Sequence, residues 1–156
     1  MATAFIPSGG GGPDTIIAND GWFPDLDTAD FKSHTAHGDT FGAERLAAAL
    51  TGAMIEINTV LRDWRAATGA ARLADVPAPV YGTAAAAQSE KIILYRAAVF
   101  ARARAQLLDT TRDYDTTRDG HTQADKLEDN AATWMQISHE SLSRLMDRPR
   151  AVVELI

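Results

Sequence analysis

Three long segments of this sequence repeat apolar residues at steps of three and four, and this periodicity constrains the fold more than any other feature. The pattern predicts helices over about 41–67, 84–111 and 122–147, because such a stripe covers one helix face. The middle segment has a broad apolar face, so we expect it to pack against two neighbours. The stripe residues are Leu46, Leu50, Ala53, Ile57, Leu61 and Trp64, then Ile92, Ile93, Tyr95, Val99, Phe100, Gln106 and Leu107, then Leu127, Ala131, Trp134, Ile137, Ser138, Leu142 and Leu145.

Proline and glycine mark where the helices begin and end. Pro24, with acidic residues just after it, predicts a short helix that runs to about Ser33. Gly69 ends the first long helix, and Pro77 and Pro79 make the following connector rigid. Strand signals are nearly absent. The predicted fold is therefore all-α: an elongated helical bundle of three long helices plus one short N-terminal helix, with extended N-terminal and C-terminal arms.

Charge divides the chain into unequal parts. Residues 1–40 hold six acids and only Lys32 as a base, a net charge of −5, whereas residues 41–156 hold fifteen acids and fourteen bases. Four glycines followed by a proline also predict a flexible leader. We therefore expect a flexible acidic N-terminal arm with a short helix (1–40), a helical bundle (41–148) and an extended C-terminal tail (149–156). An acidic arm of this kind is typical of an interaction segment.

Several function classes are disfavoured by composition. A chain of 156 residues suits one domain, and the absence of cysteine excludes disulfides and thiolate chemistry. No run approaches the roughly 20 apolar residues of a membrane span, and the N-terminus does not resemble a signal peptide. We expect a soluble product made in the cytoplasm, without membrane contact.

The segment 113–120 contains the residues that most invite a metal site. Asp113, Asp115 and Asp119 lie in a predicted polar loop with His121 close by. Counted from Asp113, however, the sixth position of an EF-hand, where glycine is required, is Arg118. We therefore expect a loop whose acids bond backbone donors. His34 and His37 have no carboxylate at a useful spacing, and no nucleophile motif or phosphate loop is present. The sequence predicts no catalytic residues, no metal and no cofactor.

Two apolar features indicate contacts with partners. Trp22 and Phe23 lie between acidic residues, and they either anchor a partner or fold back to cap the bundle; the sequence leaves both open. The tail is β-branched and has no evident partner strand in its own chain. Strand addition to another subunit therefore explains it better than solvent exposure. Its apolar members are Val152, Val153, Leu155 and Ile156.

The most basic stretch lies in the third predicted helix, at Lys91, Arg96, Arg102 and Arg104. Arg102 and Arg104 are two residues apart and so point to different faces. A solvated face with local ion pairs is the main interpretation, and contact with DNA phosphates or an acidic arm is the alternative. A soluble helical nucleic-acid-binding module is accordingly the rival to a structural subunit.

Several motifs, in the same order, resemble the head completion (GPL-type) proteins of temperate phages with contractile tails. They cover about residues 15–156. They are Ile17 to Asp27, Arg45-Leu46, Asn58 with Trp64-Arg65, Leu73 to Pro77, Arg112 to Thr117 with Gly120-His121, and Arg148-Pro149-Arg150 with Val153 to Ile156.

This resemblance implies a structural virion protein and no enzyme. It implies a homo-oligomeric, twelve-fold ring beneath the portal protein at the virion neck, which stabilises the DNA-filled capsid and receives the tail terminator or connector protein. Packaged DNA would pass through the channel of such a ring, and the loop with Asp113, Asp115, Arg118 and Asp119 would face the channel or the next ring. The residues alone indicate an arm-bearing helical subunit; the phage context comes from the resemblance.

Overall fold

The computed structural model describes residues 12–36, 41–115 and 130–148. Helices dominate this part of the chain. The helices are α1 (Thr28–His34), α2 (Ala43–Val60), α3 (Arg62–Thr68), α4 (Glu90–Asp115) and α5 (Ala131–Leu145), with a 3-10 turn at Leu73–Asp75. The strands are β1 (Ile16–Ile17), β2 (Leu26–Asp27), β3 (Val80–Tyr81) and β4 (Gln88–Ser89).

Two small antiparallel sheets correct the all-α prediction. β1 pairs with β2, with Ile17 opposite Leu26, and β3 pairs with β4, with Val80 opposite Ser89. Each sheet has two strands of two residues, a length that leaves little alternation for a sequence pattern to reveal. The chain is mostly helical, with a β-ribbon in the N-terminal segment and a β-hairpin before α4.

The short N-terminal helix begins later than predicted, at Thr28 rather than near Pro24. Leu26 and Asp27 are held in β2, and the Asp27 side chain accepts a hydrogen bond of 2.8 Å from the backbone N–H of Ala29. A side-chain oxygen before the first helical residue satisfies one of the unpaired N–H groups of a helix start. The cap therefore sets the boundary.

The predicted helix over 41–67 is two helices, because the chain turns at Leu61 between α2 and α3. The predicted stop at Gly69 is confirmed: this residue has φ +65°, a left-handed conformation that favours glycine. The predicted stripe is also confirmed, since Leu46, Leu50 and Ile57 are buried.

The third predicted helix, 84–111, is shifted along the chain. α4 begins at Glu90, because residues 80–89 form the hairpin, whose turn includes Gly82 at φ +124°. α4 also continues through Asp115, so Asp113 and Asp115 lie in the last turn of a helix and not in the predicted loop. Residues 116–120 of that loop lie outside the described residues.

The fourth predicted helix, 122–147, corresponds to α5 at Ala131–Leu145, and residues 122–129 lie outside the described part. The Asn130 side chain caps the start of α5 by accepting a hydrogen bond of 3.0 Å from the N–H of Ala132.

α4 packs against both α2 and α5, as the broad apolar face predicts. Small residues allow a close approach to α5: the buried Ser138 hydroxyl donates 2.9 Å to the carbonyl of Ala98.

Candidate interaction surface at the arm end

One end of the helical layer gathers the turn that follows Asn19 and the end of α5 around the start of α4. Asn58, near the end of α2, meets Tyr95, near the start of α4. Lys91, in the first turn of α4, meets Leu145 at the end of α5. α4 therefore runs antiparallel to both neighbours. We call this place the arm end: residues 15–27, the end of α2 with α3, the β3–β4 hairpin, the start of α4 and the end of α5.

A tight turn shapes the N-terminal segment at the arm end. Asp20 Oδ1 accepts hydrogen bonds from the backbone N–H groups of Trp22 and Phe23, at 3.0 and 3.1 Å. Gly21 supplies the left-handed conformation, with φ +87°. The Asn-Asp-Gly sequence predicts this turn, and the structure confirms it, because an aspartate side chain bonds the backbone two residues ahead more readily than most others.

Trp22 and Phe23 fold back onto their own chain. Their exposed fractions are 6% and 3%. Phe23 stacks on Tyr95 with ring centroids 4.7 Å apart, and Trp22 meets Trp64 edge to face at 6.2 Å. The indole N–H of Trp22 donates 2.9 Å to the carbonyl of Ala70. Of the two alternatives that the sequence left open, these contacts match the cap; a contact between these rings and a partner stays a prediction.

An ion pair lies over the buried rings. The Arg65 guanidinium is 2.6 Å from the Asp20 carboxylate and 5.0 Å from the centroid of the Trp22 ring. Partial burial raises the pKa of Asp20, but bonds from the N–H groups of Phe23 and Trp22 and from Arg65 outweigh it. The pKa of Asp20 is therefore below its ordinary value. The carboxylate of Asp20, which is exposed on this turn, thus also holds Trp22 and Phe23 in place.

Three side chains close a ring of hydrogen bonds beneath the N-terminal segment. Asn19 Nδ2 donates 2.8 Å to the Tyr95 hydroxyl, which donates 2.7 Å to Asn58 Oδ1, and Asn58 Nδ2 donates 2.9 Å to Asn19 Oδ1. Tyr95 is fully buried, and burial raises the pKa of its hydroxyl far above the usual range. The ring ties the N-terminal segment to α2 and α4 and keeps the buried polar atoms satisfied.

Lys91 is a buried cation on the other side of the arm end. Its ammonium donates 2.7 Å to the carbonyl of Leu145 and 2.7 Å to Asp147 Oδ2, and it lies 5.8 Å from the Trp64 ring centroid. Its side chain is only 4% exposed. A lysine is rarely buried without partners, and these three contacts hold the end of α5 against α3 and α4.

The end of α5 has an unusual cap. Asp147 has φ +54°, and its N–H donates to Arg144 O while the N–H of Arg148 donates to Ser143 O. These two bonds are the Schellman pattern, in which the left-handed position is usually glycine. Here the side chain at that position bonds to Lys91 instead. The cap and the lysine together set the direction in which the chain leaves α5.

The basic residues of α4 do not form a common solvated face, which corrects the main interpretation of that stretch. Lys91 and Arg104 are buried. Arg102 pairs with Glu56 at 2.5 Å, as expected of a local ion pair, and Arg96 donates 3.2 Å to Gln88 Oε1. The sequence did not indicate that Lys91 and Arg104 are buried. Their long aliphatic stems can pack on an apolar helix face whether or not the charged group has a polar partner.

The β3–β4 hairpin is the most exposed apolar element at the arm end. Val80 and Tyr81 are 63% and 54% exposed, and residues 79–87 are all exposed. The run from Val76 to Ser89 holds no charged residue, in a chain that is 23% charged. An exposed, uncharged hairpin with adjacent large apolar side chains is typical of an interaction surface. Sequence periodicity missed it, because the alanines 84–87 favour a helix.

The remaining candidate residues lie mostly beyond the described ranges. Asp113 and Asp115 are on the α4 backbone, while Arg118, Asp119 and the tail residues Val152, Val153, Leu155 and Ile156 fall in segments 116–129 and 149–156, which the structure does not describe. Within the described ranges, no group of three or more metal-ligating side chains comes together. No helix there is long and apolar enough to cross a bilayer.

Comparisons with known proteins agree with this arrangement of motifs. The family model described as phage head completion protein (GPL) matches residues 17–156. The chain is similar to the head completion/stabilization protein of Escherichia phage P2, with 30% identity over 157 residues, which covers 99% of this chain and 90% of that protein. No solved structure matches the chain.

Proposed function

The chain belongs to the phage head completion protein (GPL) family, and from this we propose that it forms a ring beneath the portal, stabilises the DNA-filled head and receives the tail connector. The resemblance carried by its motifs is confirmed. The observation that carries the proposal is the match along almost the whole chain. A structural role in the phage particle follows from the family, and the portal, the ring and the tail connector are what we add.

The residues at the arm end favour an adaptor, a protein whose exposed surfaces bind partners, over an enzyme with a reaction centre. Its buried groups serve to hold segments in place: the hydrogen-bond ring around Tyr95 holds the N-terminal segment, and Lys91 holds the end of α5. The exposed groups beside them are the turn at Asp20 and Gly21 and the hairpin. We therefore expect Trp22 and Phe23 to support partner binding by fixing that turn.

The C-terminal tail and the segment around the end of α4 have separate roles in the proposal. The tail 149–156 is buried against a partner in the assembled neck, where its apolar residues leave water. The segment 113–120 faces the channel or the ring below. Its acids, which include Asp119, would repel DNA and let it slide through the channel. Assembly takes place in the host cytoplasm, and the mature location is the virion neck.

Mass photometry of the chain with the portal of its own phage tests the proposal. We expect the portal complex to gain about a dozen subunits of 16.8 kDa. Because head completion should keep packaged DNA inside, heads from a phage that lacks this gene should lose DNA, and the purified chain should reduce that loss. A chain that neither joins the portal nor retains DNA would contradict the proposal.

The same samples discriminate the nucleic-acid-binding alternative. The net charge is −6, and the described basic side chains of α4 (Lys91, Arg96, Arg102 and Arg104) are buried or bonded within the molecule. Such a chain should bind duplex DNA weakly at physiological salt. Tight DNA binding that falls steeply with salt, without portal binding, would favour the alternative.

A further inference from the structure

We propose that the C-terminal segment of one copy adds as a strand to the β3–β4 hairpin of the neighbouring copy. The inference rests on the proposed ring and names the contact that links its subunits. The tail 151–156 is the donor and the hairpin 80–89 is the acceptor, so each subunit carries both.

The hairpin has the features of a strand acceptor. It contains only two strands, and among the described residues no third strand pairs with either of them. Its outer edges therefore present backbone N–H and C=O groups for a further strand. Val80 and Tyr81 offer apolar contact, and the absence of charge from Val76 to Ser89 removes the usual protection of an edge. A partner of matching chemistry is an extended, apolar strand.

The tail has that chemistry. Residues 151–156 read Ala-Val-Val-Glu-Leu-Ile, and side chains alternate between the two faces of a strand. In such a strand, Val153 and Leu155 would share a wholly apolar face and Glu154 would lie on the other face. Backbone hydrogen bonds give such an added strand its affinity, and alternate side chains give it specificity.

The donor leaves the molecule beside the base of the hairpin. Lys91 lies two residues after the last residue of β4, and its ammonium is 2.7 Å from Asp147, the residue before the described chain ends at Arg148. The N–H of Glu90 donates 2.8 Å to Pro79 O across the hairpin base. Lys91 thus fixes the tail exit and the acceptor relative to each other.

Pro149 directs the donor to a neighbour rather than to its own hairpin. Proline fixes its own φ, and the residue before it prefers an extended conformation. Two extended residues carry a chain about 7 Å onward. We therefore place the strand on a neighbouring copy rather than back beside the base of its own hairpin. Donor and acceptor are different surfaces, so their contact is head to tail and can close a ring.

The absence of cysteine makes a cross-linking test clean. One variant carries Thr83→Cys in the hairpin and another carries Val153→Cys in the tail. The two are mixed, bound to the portal and treated with a short bismaleimide. We expect a cross-linked dimer in the ring, and ladders of several subunits from the double variant. Gln136→Cys, on the exposed face of α5, replaces Thr83→Cys in the control and should give no dimer with the tail.

The other possible cross-linking results would contradict the strand contact between copies. A cross-link within single chains of the double variant would place the tail on its own hairpin and overturn the inference. Portal rings without any hairpin–tail cross-link would overturn it while the proposed function stands, because mass photometry reads the ring independently. If no ring forms, no neighbouring copy exists and both proposals fail.

A charge on the hairpin supplies a second readout. Val80→Asp places a carboxylate in the proposed contact, and ring assembly should weaken by about tenfold or more, a change of about 1.4 kcal/mol. Ile137→Asp is the matched control, since Ile137 is 38% exposed in the middle of α5, away from the arm end. Urea unfolding of both variants checks that they fold. Equal assembly of the two variants and the parent chain would contradict the strand contact.

Discussion

Removal of one buried hydroxyl tests how firmly the N-terminal segment is held. Tyr95→Phe keeps the ring that stacks on Phe23 at 4.7 Å and deletes only the group that joins Asn19 to Asn58. Asn19 Nδ2 keeps its 2.9 Å bond to Pro24 O, whereas Asn58 Oδ1 loses the donor that the structure gives it. The change is therefore confined to two hydrogen bonds.

The expected cost follows from those two bonds. A typical hydrogen bond contributes about 1 kcal/mol net, and a buried acceptor left unpaired costs about 1–3 kcal/mol. Because Asn58 is only half-buried, water replaces part of the lost bond, so we expect the free energy of unfolding to fall by about 1–2 kcal/mol. For a chain of this length that corresponds to a melting temperature lower by about 2–8 °C.

Urea unfolding followed by tryptophan fluorescence measures the effect, since Trp22 and Trp64 report on the arm end. Tyr81→Phe is the matched control: Tyr81 is exposed, and its free energy of unfolding should change by less than about 0.5 kcal/mol. A double-mutant cycle with Asn58→Ala should show coupling of about 0.5 kcal/mol or more. If Tyr95→Phe is no more destabilising than the control, the hydrogen-bond ring does not hold the segment.

Three further predictions use other contacts. The pKa of Asp20 is lower in the folded state, so the stability that this group contributes is present above its unfolded pKa and is lost as pH falls through the folded pKa. Asp20→Asn removes this contribution, so the free energy of unfolding of the variant should fall less below about pH 4. Urea unfolding across pH measures the difference. Asp147→Asn leaves the buried Lys91 ammonium without its carboxylate and should lower the free energy of unfolding by about 1 kcal/mol. The loss is smaller than for a fully buried pair because Asp147 is exposed. No change would mean that the hydrogen bond to Leu145 O alone stabilises the ammonium. Ser138→Val removes the hydrogen bond to Ala98 O and adds volume where α5 approaches α4 closely, so the free energy of unfolding should fall by about 1–3 kcal/mol. Thermal melting measures this loss, and an unchanged melting temperature would contradict the packing argument.

Local residue chemistry determined a large part of this protein in advance. The apolar stripe of α2, the stop at Gly69 and the turn at Asp20 and Gly21 are confirmed, because each depends on a residue and its near neighbours in sequence. The ordered motifs also identified the family. For Trp22 and Phe23, however, a buried cap and an exposed anchor require the same aromatic residues, so the sequence could not choose between them.

Only the tertiary structure decided the contents of the arm end. Alanines 84–87 favour a helix by propensity, yet the turn at Gly82 and the bond from Glu90 N to Pro79 O hold this stretch in a hairpin. Tyr95 and Lys91 lie on a predicted helix, but their polar partners come from segments 37 to 76 residues away. A buried polar group is stable only when distant residues satisfy it, and those distances are set by packing, which no local pattern encodes.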